Sequence, residues 1–137
     1  MTLLFDTCSS LREVELADAS PFLERLSLSC TGIKELPPGY FPKLNSLDLD
    51  GCFSLEELPS LQSMPTLNDL SLNECEVLKS LSGLSTVSKL DSLSLRECVG
   101  LETLQGLEGL VSLSYLDLED CVCLSDVSAL EGLEWVG

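Results

Sequence analysis

Apolar residues recur along this chain in two alternating periods. From Leu44 the sequence reads LNSLDLDGCFSLEELPSLQSMPT, and units opening at Leu67, Leu90 and Leu113 repeat the pattern over 23 residues each. With the opening leucine as position 0, all four carry Leu at 0, 3 and 5, Cys at 8 and an apolar residue at 11, 14, 17 and 20. The unit opening at Leu23 keeps positions 0, 3 and 5 but has 21 residues, with Thr31 in the Cys position. The N-terminal segment fits the same frame if its first position lies one residue before Met1. Leu3, Phe5, Cys8, Leu11 and Val14 then take positions 3, 5, 8, 11 and 14. Six units (1–22, 23–43, 44–66, 67–89, 90–112, 113–135) therefore account for nearly the whole chain as a single domain, and Val136 sits where a seventh would open.

The two periods predict two kinds of local structure. LxxLxL ends in a period of two, the signature of a short strand with positions 3 and 5 inward and 4 and 6 outward. A lone strand of this kind leaves both edges unpaired. Parallel stacking of identical units pairs the edges and buries the leucines, at about 4.8 Å per strand. After the Cys the period becomes three (Leu101, Leu104, Leu107, Leu110), which fits 3₁₀ turns or extended segments better than α-helix. Pro37, Pro38, Pro42, Pro59 and Pro65 fall in this returning half, where they disfavour a helix interior. The expected architecture is a solenoid of six short parallel strands.

Composition narrows the function. Leucine supplies 33 of 137 residues and aromatics only 5%, as a repeated packing unit requires. Acids outnumber bases 23 to 7, and the formal net charge of −16 opposes nucleic acid and anionic membrane surfaces as partners. The absence of His removes the usual nucleophile–base pairs and near-neutral general bases, so no catalysis is expected. No cofactor or metal is expected either. No basic signal segment opens the chain and no apolar run approaches about 20 residues. Seven cysteines, five of them in one phase of the repeat, argue against a disulfide framework and for a reducing, cytoplasmic setting.

LxxLxLxxCxxLxxLP and TGIKELP (Thr31 to Pro37) resemble the repeats of plant intracellular immune receptors. LSYLDLEDCVCLSDVSALEGL resembles the 23-residue Cys-type repeats of trypanosomatid leucine-rich repeat proteins. The chain as a whole is similar to the leucine-rich repeat superfamily. That resemblance implies an α/β-type horseshoe, a right-handed solenoid with 3₁₀ or extended returning segments, serving protein–protein recognition. The alternative role is a structural spacer or sensor segment within a larger receptor.

Two sets of residues stand out. Cys8, Thr31, Cys52, Cys75, Cys98 and Cys121 form a ladder in which a small side chain with a weak donor can satisfy turn carbonyls while packing as a hydrophobe. Thr31 supplies the same pair of properties, which metal ligation would not explain. Cys30 and Cys123 are expected to be exposed. The second set is the outward strand face. At positions 2, 4, 6 and 7 of the four full units, 8 of 16 residues are acidic (Asp48, Asp50, Asp69, Glu74, Glu97, Asp117, Glu119, Asp120), against 8 of 40 on the returning side. Ser71, Asn73 and Ser94 lie among them, with Arg96 and Tyr115 as anchor candidates of the type common at interface hot spots. A basic protein segment is the expected partner of this face. Neither end shows a capping helix or charged run, so the chain is expected to be part of a longer array, with ends that self-associate or meet a neighbouring domain.

Overall fold

The structure is a computed structural model of the chain, described here for residues 1–5, 21–36, 40–58 and 60–132. Cys8, Leu11, Val14, Trp135 and Val136 lie outside the described residues. Six three-residue strands, β1 (Thr2–Leu4), β2 (Arg25–Ser27), β3 (Ser46–Asp48), β4 (Asp69–Ser71), β5 (Ser92–Ser94) and β6 (Tyr115–Asp117), form one sheet in sequence order. Every pairing is parallel, and the register joins like positions of neighbouring units: Leu3 to Leu26, Leu26 to Leu47, Leu47 to Leu70, Leu70 to Leu93, Leu93 to Leu116. The frame that starts one residue before Met1 is therefore the one the sheet uses.

Each strand occupies positions 2 to 4, yet inter-unit bonding runs further. The position-5 N–H donates across to the next unit (Leu49 N to Ser71 O, 2.8 Å; Leu95 N to Asp117 O, 2.8 Å), and the position-7 N–H does the same (Gly51 N to Asn73 O, 2.7 Å; Glu97 N to Glu119 O, 2.8 Å). These bonds fix the turn after the strand as firmly as the strand itself.

The returning half explains the period of three. Leu104 O accepts from Leu107 N, Leu107 O from Leu110 N and Leu110 O from Leu113 N, at 3.1–3.2 Å. Leu81, Leu84, Val87 and Leu90 form the same chain of three-residue steps. Side chains three apart eclipse in 3₁₀ geometry, so one apolar residue in three puts every apolar side chain inward. Two segments are long enough to form 3₁₀ helices, Ser82–Thr86 and Ser128–Gly132, and no α-helix forms among the described residues.

Between strand and return lies a core of stacked leucines. Positions 0, 3, 5, 8, 11, 14, 17 and 20 are fully or almost fully buried in units 44–66, 67–89 and 90–112. In unit 23–43 Phe41 occupies position 20 and Ile33 closes the gap left by the shorter turn, both buried. Leu116, Leu118, Cys121 and Leu124 of the sixth unit are only partly covered.

Candidate recognition surface

The corners after β3, β4, β5 and β6 are each held by a thiol. Cys52 Sγ donates to Leu28 O (3.4 Å), Cys75 to Leu49 O (3.2 Å), Cys98 to Leu72 O (3.0 Å) and Cys121 to Leu95 O (2.9 Å). Each of these four position-8 thiols thus satisfies the position-5 carbonyl of the preceding unit, whereas Thr31, also at position 8, bonds the position-5 carbonyl of its own unit. Thr31 Oγ1 donates to Leu28 O at 2.7 Å, the carbonyl that also receives Cys52. Burial pushes the Cys52 thiol up to about 11 and the Cys98 thiol up to about 12, and raises Cys75 and Cys121 from the ordinary value of 9.0. These thiols stay protonated, as hydrogen-bond donors must. Cys30 and Cys123 are exposed.

On the strand face, position 6 of one unit engages positions 4 and 6 of the next. Asp50 Oδ1 accepts from the Ser71 hydroxyl and from Asn73 N (2.8 Å). Asn73 Oδ1 accepts from the Ser94 hydroxyl (2.6 Å) and Arg96 N (2.9 Å). Arg96 continues the pattern with charge: Nη2 lies 2.9 Å from Glu119 Oε2 and Nε 3.8 Å from Asp117 Oδ2. Tyr115 OH donates to the same Asp117 oxygen at 3.4 Å, and Asp117 Oδ1 accepts from Glu119 N at 3.0 Å. Asp48 Oδ1 likewise accepts from Asp50 N at 2.9 Å. The structure therefore brings Asp48, Asp50, Ser71, Asn73, Ser94, Arg96, Tyr115, Asp117 and Glu119 into one continuous network. Five of the eight acids on this face, Asp48, Asp50, Asp69, Asp117 and Glu119, are occupied in joining units to one another or closing their own turns. Asp69 of β4 accepts from the Ser46 hydroxyl, its register partner on β3, at 3.3 Å.

Position 7 differs. Cys30, Gly51, Glu74, Glu97 and Asp120 all have left-handed backbones, with φ between 56° and 66°. Gly51 shows how closely these positions stack: a Cβ there would lie 3.0 Å from Cys30 Sγ. Glu74, Glu97 and Asp120 are exposed and point from the turn, beyond the end of each strand. Past the position-8 Cys the chain surfaces again at position 9 or 10 with Phe53, Val77, Val99 and Val122, exposed by 45, 37, 38 and 75%. Glu97 O accepts from Val99 N (2.9 Å) and Asp120 O from Val122 N (3.0 Å), so acid and valine are two ends of one tight turn. In the sequence these residues show as apolar side chains at position 9, with Glu76 interrupting the series and Val77 one place later.

No protein-family model matches the chain, and no curated protein matches it.

Elsewhere, a cleft of about 420 Å³ opens on the returning side between units 67–89 and 90–112, lined by Lys79, three serines, Thr103, Gln105 and Gly106. It lies between two isolated parallel bridges, Glu57–Ser80 and Thr103–Asp126. Gly106 (φ +114°) sits so close beneath the Leu81 carbonyl that a Cβ would come within 2.4 Å of its oxygen. No group of three or more Cys, Asp or Glu among the described residues is placed to hold a metal ion. No helix among them is long and apolar enough to cross a membrane.

Proposed function

We propose that this chain is a leucine-rich repeat recognition module, non-catalytic, that binds a basic segment of another protein on its acidic strand-and-turn face. The observation carrying the reading is the row of Glu74, Glu97 and Asp120. These three carboxylates are exposed, stacked in phase, and have no ion pair among the described residues, in a protein of net charge −16. Acids in such an array steer a cationic partner and set its orientation more than they add raw affinity. Arg96 and Tyr115 border the row, and Tyr115 remains half-exposed where it could pack against a bound segment.

Neutralisation of two equal sets of acids tests this. One triple variant carries Glu74→Gln, Glu97→Gln and Asp120→Asn; the other carries Glu56→Gln, Glu57→Gln and Glu102→Gln on the returning side. Both remove three charges. A lysine-rich peptide should lose at least tenfold in affinity for the first variant, less than threefold for the second, and most of its affinity in high salt. Equal losses in the two variants would mean that the peptide senses only net charge, and the face would not be a site.

A further inference from the structure

The free carboxylates are not alone on their edge of the solenoid. In three successive units an inward-facing cysteine, buried at Cys75 and Cys98 and half-buried at Cys121, follows an exposed acid and precedes an exposed valine: Glu97-Cys98-Val99, Asp120-Cys121-Val122 and, with the exposed Glu76 intervening, Glu74-Cys75-Glu76-Val77. Gly51-Cys52-Phe53 adds an apolar member at the same phase. The thiol bond to the preceding unit's carbonyl pins the middle residue inward, and its neighbours are forced outward on either side. The outcome is two parallel rows along the solenoid axis, one of carboxylates and one of apolar side chains.

We infer that this edge is a docking strip for a basic amphipathic α-helix lying along the solenoid axis. The inference rests on the acidic-face reading above and specifies its partner. Spacing selects the helix. Units follow one another at about 4.8 Å, and a helix presents a new side chain on one stripe about every 5.4 Å. Across three acids the two runs differ by only about 1.2 Å, well within the reach of a lysine or arginine side chain. An extended strand repeats each face about every 6.8 Å and slips by about 2 Å at every unit. Charge complementarity selects basic residues at i, i+4 and i+7, and the valine row selects apolar residues on the adjoining stripe. Such a helix buries its apolar stripe on Phe53, Val77, Val99 and Val122 while its cations meet Glu74, Glu97 and Asp120.

The test uses two labelled 15-residue peptides of identical composition, read by fluorescence anisotropy against the full chain. One places Lys and Leu on adjoining helical stripes; the other scrambles them so that no stripe forms. The helical peptide should bind at least tenfold more tightly. Val99→Ser with Val122→Ser should weaken it at least fivefold, with an unchanged melting curve confirming the fold, while Val99→Thr with Val122→Thr, closer in shape, should weaken it less than the serine pair. Equal binding of the two peptides, with no effect of the valine changes, overturns the helix strip. The acidic-face reading then survives only if the Glu74/Glu97/Asp120 triple variant still loses affinity for both. If that variant binds both peptides as the parent does, the two readings fall together.

Discussion

Glu97 occupies a backbone conformation that favours glycine, between two like charges, and both burdens can be separated by substitution. With φ at +57° its Cβ crowds the following carbonyl, at about 1–2 kcal/mol for a residue other than glycine. Glycine removes that strain but loses about 0.5–1 kcal/mol more conformational entropy on folding. Glu97→Gly should therefore stabilise the fold by roughly 0.5–1 kcal/mol from the backbone alone. Glu74 and Asp120 flank it one unit away on each side, and relief of two exposed like-charge contacts adds a few tenths of a kcal/mol each at low salt. Glu97→Gln keeps the side-chain size and removes the charge, so it should gain only the second contribution. Glu97→Ala keeps the strain and removes the charge, and should match Gln.

Urea unfolding at low and high salt provides the assay, with unchanged m-values licensing the comparison of midpoints. At low salt the order of stability should be Gly above Gln and Ala, with the parent lowest. In 1 M salt, where the Debye length is about 3 Å, Gln and Ala should fall back to the parent while Gly keeps its advantage. If Gly is no more stable than Ala in either condition, position 7 carries no backbone strain and the argument is wrong. If the Gln advantage persists in high salt, repulsion along the acid row is not its source.

The thiol corner yields further expectations. Cys75→Thr keeps a small donor beside Leu49 O and should lose less than Cys75→Val, the same shape without a donor, which should lose about 1–2 kcal/mol in urea titration. Raised thiol pKa values make stability fall with alkali. Below pH 9.0 the contribution is intact; above it the unfolded chain ionises while buried Cys52 and Cys98 hold their protons to about 11 and 12. With Cys75 raised as well, stability should decline by up to about 4 kcal/mol per pH unit across that window. A triple Cys→Thr variant should show a much flatter profile by circular dichroism. In the core, Leu93→Ala should cost about 3–5 kcal/mol and Leu116→Ala less than half as much, since Leu93 is sealed on both sides and Leu116 is partly exposed. Equal losses would mean that the sixth unit is as well covered as the fifth.

Much of this fold is legible because a solenoid reduces a three-dimensional problem to one unit and its stacking. The register Leu47–Leu70–Leu93 follows directly from the 23-residue spacing, and the shortened unit is absorbed by Ile33 and Phe41 without disturbing it. The period of three anticipates the 3₁₀ bonding of the return because eclipsed side chains leave a plain trace in composition. What the strings of residues conceal is direction. Position 7 reads as one more outward strand residue, yet the strand has ended and a left-handed turn carries Glu74, Glu97 and Asp120 to the edge. Asp50 and Asp117 look as free as these three, because a hydrogen bond to a hydroxyl 21 residues away, or to an arginine in the preceding unit, has no local signature. Gly106 is equally silent until the Leu81 carbonyl is seen beneath it.

The division of labour among the acids has a physical origin. A position-6 side chain lies directly over the next unit, so any residue there must either bond to positions 4 and 6 of its neighbour or leave their polar groups to water. Asp50 and Asn73 take the first course as acceptors from hydroxyl and amide, and Arg96 takes it with charge, against the Glu119 carboxylate at 2.9 Å and that of Asp117 at 3.8 Å. Arg96 shows why the alternation matters. Asp117 and Glu119 supply acceptors at positions 4 and 6, and a carboxylate in place of Arg96 would face both without a donor. The strand face is thereby committed to holding units in register, its acids held by hydroxyls, backbone amides and the Arg96 guanidinium. One position later the left-handed turn lifts the side chain off the stack, and no neighbour claims it among the described residues. Charge that the fold does not use accumulates there, beside the valines that flank the inward cysteine, and it is this pairing of sign and apolar surface, left over once the units are joined, on which the proposed docking strip rests.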